Sequence, residues 1–198
     1  RHDPTVRQFW LAIILAFMPA AIVGLAFHRQ IKQVLFTSPT IIAWALILSG
    51  IVLILVERLP QRHSIDHVMH ITFRTALVVG LAQMLSLIPG VSRAGSAIVG
   101  GLGAGLSRRL ATQFSFYLAI PTIGAATLFD LVTSLDELRD QNLALLAVGM
   151  VTSAVVAWLS IRWLLRYVAS HSFVAFGIYR IVAGGLILAL QATGALSG

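Results

Sequence analysis

The segment Leu87-Ile88-Pro89-Gly90-Val91-Ser92-Arg93-Ala94-Gly95-Ser96-Ala97-Ile98 is the stretch of this chain best equipped for chemistry. Proline and glycine end a helix, and glycine lets backbone approach a ligand closely. A helix restarting after Arg93 aims its free N–H groups at the same spot. The arginine fork matches phosphate oxygens two at a time, and the hydroxyls of Ser92 and Ser96 add donors beside it. The set therefore reads as an anion site for a phosphate or diphosphate. Arg93 and Ser92 lead it, with Gly90, Gly95 and Ser96 around them. The competing reading is a broken helix whose arginine only satisfies backbone carbonyls.

Two more ionisable groups fall inside apolar runs: Arg180 in the last one and Asp130 near the end of the third. A charge at the bilayer centre costs about 2.5 to 3.5 kcal/mol on insertion scales, so each needs a reason. Asp130 suits an interfacial position one turn below the surface. Arg180 suits a substrate-binding role, a structural pair, or a side chain snorkelling along its helix. Two soluble-enzyme motifs are near misses. Gly90-Val91-Ser92-Arg93-Ala94 lacks the last glycine of a G-x-S-x-G elbow, and no G-x-x-x-x-G-K run occurs. His63, His67 and His70 have only Asp66 beside them, which favours a hydrated interfacial segment over a metal site. Gly101 and Gly105 form a Gly-x-x-x-Gly that permits close helix packing.

The elements that carry these residues follow from composition. The chain has 198 residues, 58% hydrophobic and only 11% charged, with a mean hydropathy of +0.92. A soluble domain carries about a quarter charged residues, so a soluble enzyme is excluded. A membrane helix needs about 20 apolar residues. Runs of that kind are Gln8 to Phe27, Thr40 to Val56, Thr112 to Ser134, Leu143 to Ile161 and Phe173 to Gln191. Leu59 to Arg74 reads as an interfacial loop or surface helix. Thr75 to Leu106 is apolar but broken by the Pro89-Gly90 segment, and each half is too short to cross. It reads as a re-entrant helix-loop-helix meeting near the midplane. The expected fold is all-α: a polytopic membrane helix bundle of five spans with the re-entrant pair at about 75–106, forming one integral membrane domain over 1–198.

Charge tests the re-entrant reading. If the pair returns to the side it left, one side holds Arg1, Arg7, Arg58, Arg62, Arg74, Arg108, Arg109, Arg162 and Arg166. The other holds only Arg29, Lys32 and Arg139. If it crosses, the two sides divide these residues evenly. The positive-inside rule favours the first arrangement, makes the arginine-rich side cytoplasmic, and turns the acidic loop Asp136-Glu137-Leu138-Arg139-Asp140 outward. The net charge of +7 is then the mark of cytoplasmic loops, and no nucleic-acid partner is expected. The absence of cysteine excludes thiol chemistry.

Gly80-Leu81-Ala82-Gln83, Pro89-Gly90-Val91-Ser92-Arg93, Gly100-Gly101, Ser107-Arg108, Phe114-Ser115-Phe116 and Pro121 recur in order. With Met18-Pro19-Ala20, Phe27-His28-Arg29-Gln30-Ile31-Lys32 and Phe176-Gly177-Ile178-Tyr179-Arg180, they closely resemble the bacterial undecaprenyl-diphosphate phosphatases, the bacitracin-resistance proteins. The resemblance covers essentially the whole chain. It implies a multi-pass enzyme of the bacterial inner membrane that removes the terminal phosphate of undecaprenyl diphosphate and recycles the lipid carrier of cell-wall synthesis. It further implies an inverted repeat, a pocket opening to the outer face, a divalent metal (magnesium or calcium), and Ser92 and Arg93 as the diphosphate-binding pair. A lipid diphosphate and membrane lipids are the expected partners, and a homodimer is left open.

Two departures stand out. The family pattern P-G-x-S-R-S-x-x-T places serine and threonine where this chain has Ala94 and Ala97. The family's other signature, a Glu-x-x-x-Glu run followed by Pro-Val-Ser-Ser-Thr-Gly-His, does not occur in these residues; it would supply the carboxylates, the nucleophile and the metal ligands. The chain is thus expected to be the C-terminal two-thirds or more of a longer protein and inactive alone, with no metal ligands of its own. The rival reading is a prenyl-phosphate transporter or flippase without hydrolysis, because broken helices and an inward arginine suit anionic cargo too.

Overall fold

A computed structural model describes residues 4–27, 30, 31, 33, 38–59, 65–133 and 143–194. The described residues form seven α-helices: α1 Pro4–Ala26, α2 Pro39–Arg58, α3 Phe73–Met84, α4 Arg93–Gly103, α5 Arg108–Thr133, α6 Leu143–Ser170 and α7 Val174–Ala192. Short 3-10 turns occupy Val68–His70 and Leu85–Leu87. α1, α2, α5, α6 and α7 are long and apolar enough to cross a bilayer, the same five runs that composition picks out. α6 continues to Ser170, beyond the expected end at Ile161. Its 28 residues span about 42 Å, longer than the roughly 30 Å hydrocarbon core, so the last turns, with Arg166, extend beyond an ordinary span.

The 12 residues of α3 and 11 of α4 give rods of only about 18 and 16 Å, each short of the roughly 30 Å core. They lie against one another: a Cβ added to Gly100 would sit 2.5 Å from the Ala82 Cβ, so only glycine admits this approach. Their ends away from the break are stitched together. The Ile65 N–H donates to the Gly105 carbonyl (3.2 Å) and the Ser107 N–H to the Ile65 carbonyl (2.9 Å), a parallel bridge between Ile65 and Leu106. Beside this neck, Arg108 at the start of α5 pairs with the buried carboxylate of Glu57 at the end of α2. The chain leaves and returns on one side, as a re-entrant pair requires.

Arg58, Arg74, Arg108 and Arg109 surround that neck. Arg7 joins them through α1, where Phe9 stacks edge-on to Phe114, 6.4 Å between ring centres. Arg162 and Arg166 join them because Val168 and Phe173 share a core with Leu53. By the positive-inside rule this side is cytoplasmic. Arg1, Arg29, Lys32, Arg62, His63, Arg139 and the acidic loop at 136–140 lie outside the described residues. Asp130 is exposed near the outer end of α5, in keeping with an interfacial position.

Among the described residues of the surface segment before α3, a 3-10 turn occupies Val68–His70, and His67 caps it by accepting from the Met69 N–H (3.4 Å), within the loop alternative of the expectation. One feature differs from expectation. Gly101 and Gly105 do not share one helical stripe. Gly101 packs on Ala111, whereas Gly105 lies past the end of α4 with φ +88°. The close helix packing comes instead from Gly80 against Ala16 and from Gly50, Gly177 and Gly184 between α2 and α7.

Candidate functional site

The break between α3 and α4 is built from its residues as the sequence predicts. The Leu85–Leu87 turn tightens the end of α3, and the Val91 N–H donates to the Ile88 carbonyl (3.0 Å). Gly90 takes φ +93°, a left-handed conformation open to glycine and costly for L side chains. A Cβ there would stand 2.5 Å from the Ile42 carbonyl oxygen and 3.0 Å from the Ala45 Cβ. Gly90 therefore admits the backbone of α2 rather than a ligand. Ile42 and Ala45 sit about 5 to 9 Å in from the start of α2, and Ser49, joined to Gly90 through one Arg180 nitrogen, about 15 Å in, so the break lies between that end and the middle of the helix.

Ser92 is the N-cap of α4, its Oγ accepting from the Gly95 N–H at 3.1 Å, the ordinary way a helix start is satisfied. Ser96 gives its proton to the Ser92 carbonyl (2.8 Å), so Ser96 has no donor to spare. Among the described residues the Ser92 hydroxyl accepts from Gly95 and donates to none, whereas the Ser96 proton, expected as a second donor, is taken. Arg180 reaches across from α7, where its Nη2 donates to the Ser49 Oγ (2.6 Å) and to the Gly90 carbonyl.

A cavity of about 720 Å³ runs along α2 from Thr40 to Leu53 between α4 and α7. Its wall is mostly apolar, with Ser49, Ser92, Ser96 and Arg180 on its inner part and Thr40 and Tyr179 also lining it. Gly95 also lines it, Gly90 braces it from behind, and Arg93 is absent from the wall. At 100° per residue Arg93 shares a stripe with Ala97 and Gly100, the stripe turned to α3. Its Nη1 is buried there without a hydrogen-bond partner. The structure thus brings Ser92, Gly95, Ser96 and Arg180 to one cavity and sets Arg93 on the other side of the same helix start.

One polar residue, Gln83, enters the sequence analysis only within the Gly80-Leu81-Ala82-Gln83 pattern and without a role at the site. Gln83 is fully buried and its Nε2 donates to the Thr122 Oγ1 (3.4 Å). Its Oε1 has no partner. The available signal was an amide inside an otherwise apolar run.

Comparison with known proteins gives a direct result. The family model described as bacitracin resistance protein BacA matches residues 1–186. The chain belongs to the BacA family. It is 46% identical over 182 residues to undecaprenyl-diphosphatase 1 of Chromobacterium violaceum, covering 92% of this chain and 67% of that protein. It is 44% identical over 193 residues to the undecaprenyl-diphosphatase of Cereibacter sphaeroides, covering 98% and 72%. It is likewise 44% identical over 199 residues to that of Deinococcus radiodurans, covering 98% and 71%. BacA membership and the five spans make this a multi-pass protein of the bacterial inner membrane.

Of the two BacA-pattern hydroxyls missing here, the position of Ala94 faces the cavity, whereas Ala97 is packed with 1% exposure. The described residues do not fit the divalent ion that the family implies: no three His, Cys, Asp or Glu groups among them gather where they could hold one. Glu57 is committed to Arg108 at the cytoplasmic neck.

Proposed function

We propose that this protein hydrolyses undecaprenyl diphosphate to undecaprenyl phosphate and inorganic phosphate, returning the lipid carrier of cell-wall synthesis to use. The observation that carries the reading is 44–46% identity, over nearly the whole chain, to relatives named undecaprenyl-diphosphatase. The cavity supports it. A mostly apolar trough with polar groups on its inner part suits a prenyl chain with an anionic head, and its volume lies in the range of small-molecule sites.

The roles assigned to this chain's residues are binding and charge stabilisation. The start of α4 carries the positive end of the helix dipole toward the head group, and the Ser92 hydroxyl, whose oxygen already caps the Gly95 N–H, donates its proton to a phosphate oxygen. Arg93 stands at the same helix start but outside the cavity wall; on this reading its unpartnered nitrogen turns to the transferred phosphoryl group once the diphosphate is bound, where charge spreads over the equatorial oxygens as the bridging P–O bond breaks and water's oxygen bonds to phosphorus. Arg180 faces the same cavity with the nitrogens not spent on Ser49 and Gly90, and Ser96 shapes its wall. The prenyl chain follows α2, and the break's outer position opens the site outward.

The test is release of inorganic phosphate from undecaprenyl diphosphate by the protein expressed from its complete open reading frame in detergent, with and without added magnesium or calcium. Release that the wild type shows and Arg93→Ala loses supports the reading. An intact, folded wild-type protein that releases nothing yet moves prenyl phosphate across vesicle bilayers would replace it with the transporter.

A further inference from the structure

Among the described residues, three buried side-chain polar atoms have no hydrogen-bond partner: Gln83 Oε1, Arg93 Nη1 and Arg108 Nε. The Arg108 nitrogen belongs to the Glu57 ion pair at the neck. The other two are complementary, one an acceptor on α3 and one a donor on α4. Within a bilayer neither has bulk water to turn to, so two such orphans on adjoining helices need a common explanation.

The orientation of the Gln83 amide is fixed by its neighbour. Thr122 gives its own proton to the Leu118 carbonyl (2.6 Å), so toward Gln83 it can only accept, and the amide must turn its NH₂ that way. The carboxamide oxygen is thereby aimed away from α5. Gln83 lies one turn along α3 from Val79, whose Cα a Cβ on Gly100 would meet at 3.3 Å, and Gly100 shares its stripe of α4 with Ala97 and Arg93. The two orphans thus lie on facing stretches of α3 and α4, with no hydrogen bond between them in this structure. A leucine at 83 would fill the same space without an unpaired oxygen, so packing alone does not account for an amide here.

Resting on the reading that Arg93 holds phosphate, we propose that Gln83 is a positioning residue for Arg93. Its Oε1 takes one edge of the guanidinium, and the opposite edge is left free to fork onto phosphate. An uncharged acceptor is the suitable partner. It orients the cation without neutralising it, whereas a carboxylate would compete with the substrate for the same charge.

The test uses the complete protein and measures kcat and KM for phosphate release from undecaprenyl diphosphate, with thermal unfolding in detergent beside it. Gln83→Leu is expected to lower kcat/KM about tenfold or more with an unchanged or higher Tm, since it deletes an unpaired buried atom. In an Arg93→Lys background, which keeps a charge but loses the fork, the same substitution should cost little more. Gln83→Glu should also lower kcat/KM, through neutralisation. Full activity in Gln83→Leu, or the same loss whether residue 93 is Arg or Lys, overturns the proposal while leaving the site intact. Unchanged activity in Arg93→Ala overturns the site and the proposal with it. Should Gln83→Leu fail to fold, Gln83→Met replaces it under the same criteria.

Discussion

Arg180 in α7 donates to the carbonyl oxygen of Gly90, 90 residues earlier in the chain, and the same nitrogen donates to Ser49 in α2. A carbonyl in a helix break has no helical partner, and in a membrane no bulk water supplies one. Arg180 thus ties the turn that starts α4 to the α2–α7 pair. Replacing it with leucine leaves that carbonyl unpaired, at a cost of about 1.5 to 3 kcal/mol. The expected result is a Tm lower by several degrees together with reduced phosphate release, and a partial return of both in Arg180→Lys. An unchanged Tm in the leucine variant would show that the bond carries no weight.

Gly90→Ala forces a Cβ onto a left-handed residue and into the Ile42 carbonyl, 2.5 Å away. The conformational penalty alone is about 1 to 2 kcal/mol, and a helix backbone has little freedom to retreat. Poor yield or lost activity is expected. Gly149→Ala, in α6 with nothing within 4 Å of the added carbon, is the matching control. It should be neutral or stabilising by about 0.5 to 1 kcal/mol. Equal behaviour of the two in expression and thermal unfolding would refute the account of Gly90.

The α2–α7 pair depends on glycine. A Cβ at Gly177 would stand 2.8 Å from the Gly50 carbonyl and 2.5 Å from the Ile54 Cγ1. Because the chain has no cysteine of its own, a Thr40→Cys, Gln191→Cys pair reports the contact cleanly. These two side chains already meet at 3.2 Å. Cross-linking by a short thiol-specific bifunctional reagent, which spans the gap left when the long glutamine is shortened, should be efficient in that background and fall sharply when Gly177→Leu is added. Undiminished cross-linking would mean the helices do not rely on that approach.

Arg93→Ala separates catalysis from folding. The Nη1 of Arg93 makes no hydrogen bond, so truncation should leave Tm unchanged or raise it. Phosphate release should drop by about two to three orders of magnitude, as for other groups that stabilise developing charge. Unfolding of the variant would reassign Arg93 to structure.

Much of this fold is legible in sequence because the bilayer imposes strict rules. Apolar length locates the five spans, and Pro89-Gly90 followed by Ser92-Arg93 locates the break. The arginine distribution states on which side the pair begins and ends. What sequence does not carry is rotation about a helix axis and reach between helices. Nothing in the order Ser92-Arg93 says that the serine enters the apolar cavity while the arginine turns to α3. Nothing near Arg180 names Gly90 as its partner. Ser96 looks like a donor until the Ser92 carbonyl takes its proton, a local bond that helix geometry decides. The extension of α6 past Arg162 is hidden because hydropathy falls where the helix leaves the hydrocarbon but does not end.

The backbone clasp between Ile65 and Leu106 bears on how the protein is made. A segment whose two ends are joined on the cytoplasmic face need never be threaded to the far side during synthesis; it can enter as a finished plug once its neighbouring spans are in place. The polar turn it carries is then lowered into the bundle from behind, shielded by α2 and α7, and the orientation of every later span is indifferent to whether that insertion is early, late or incomplete.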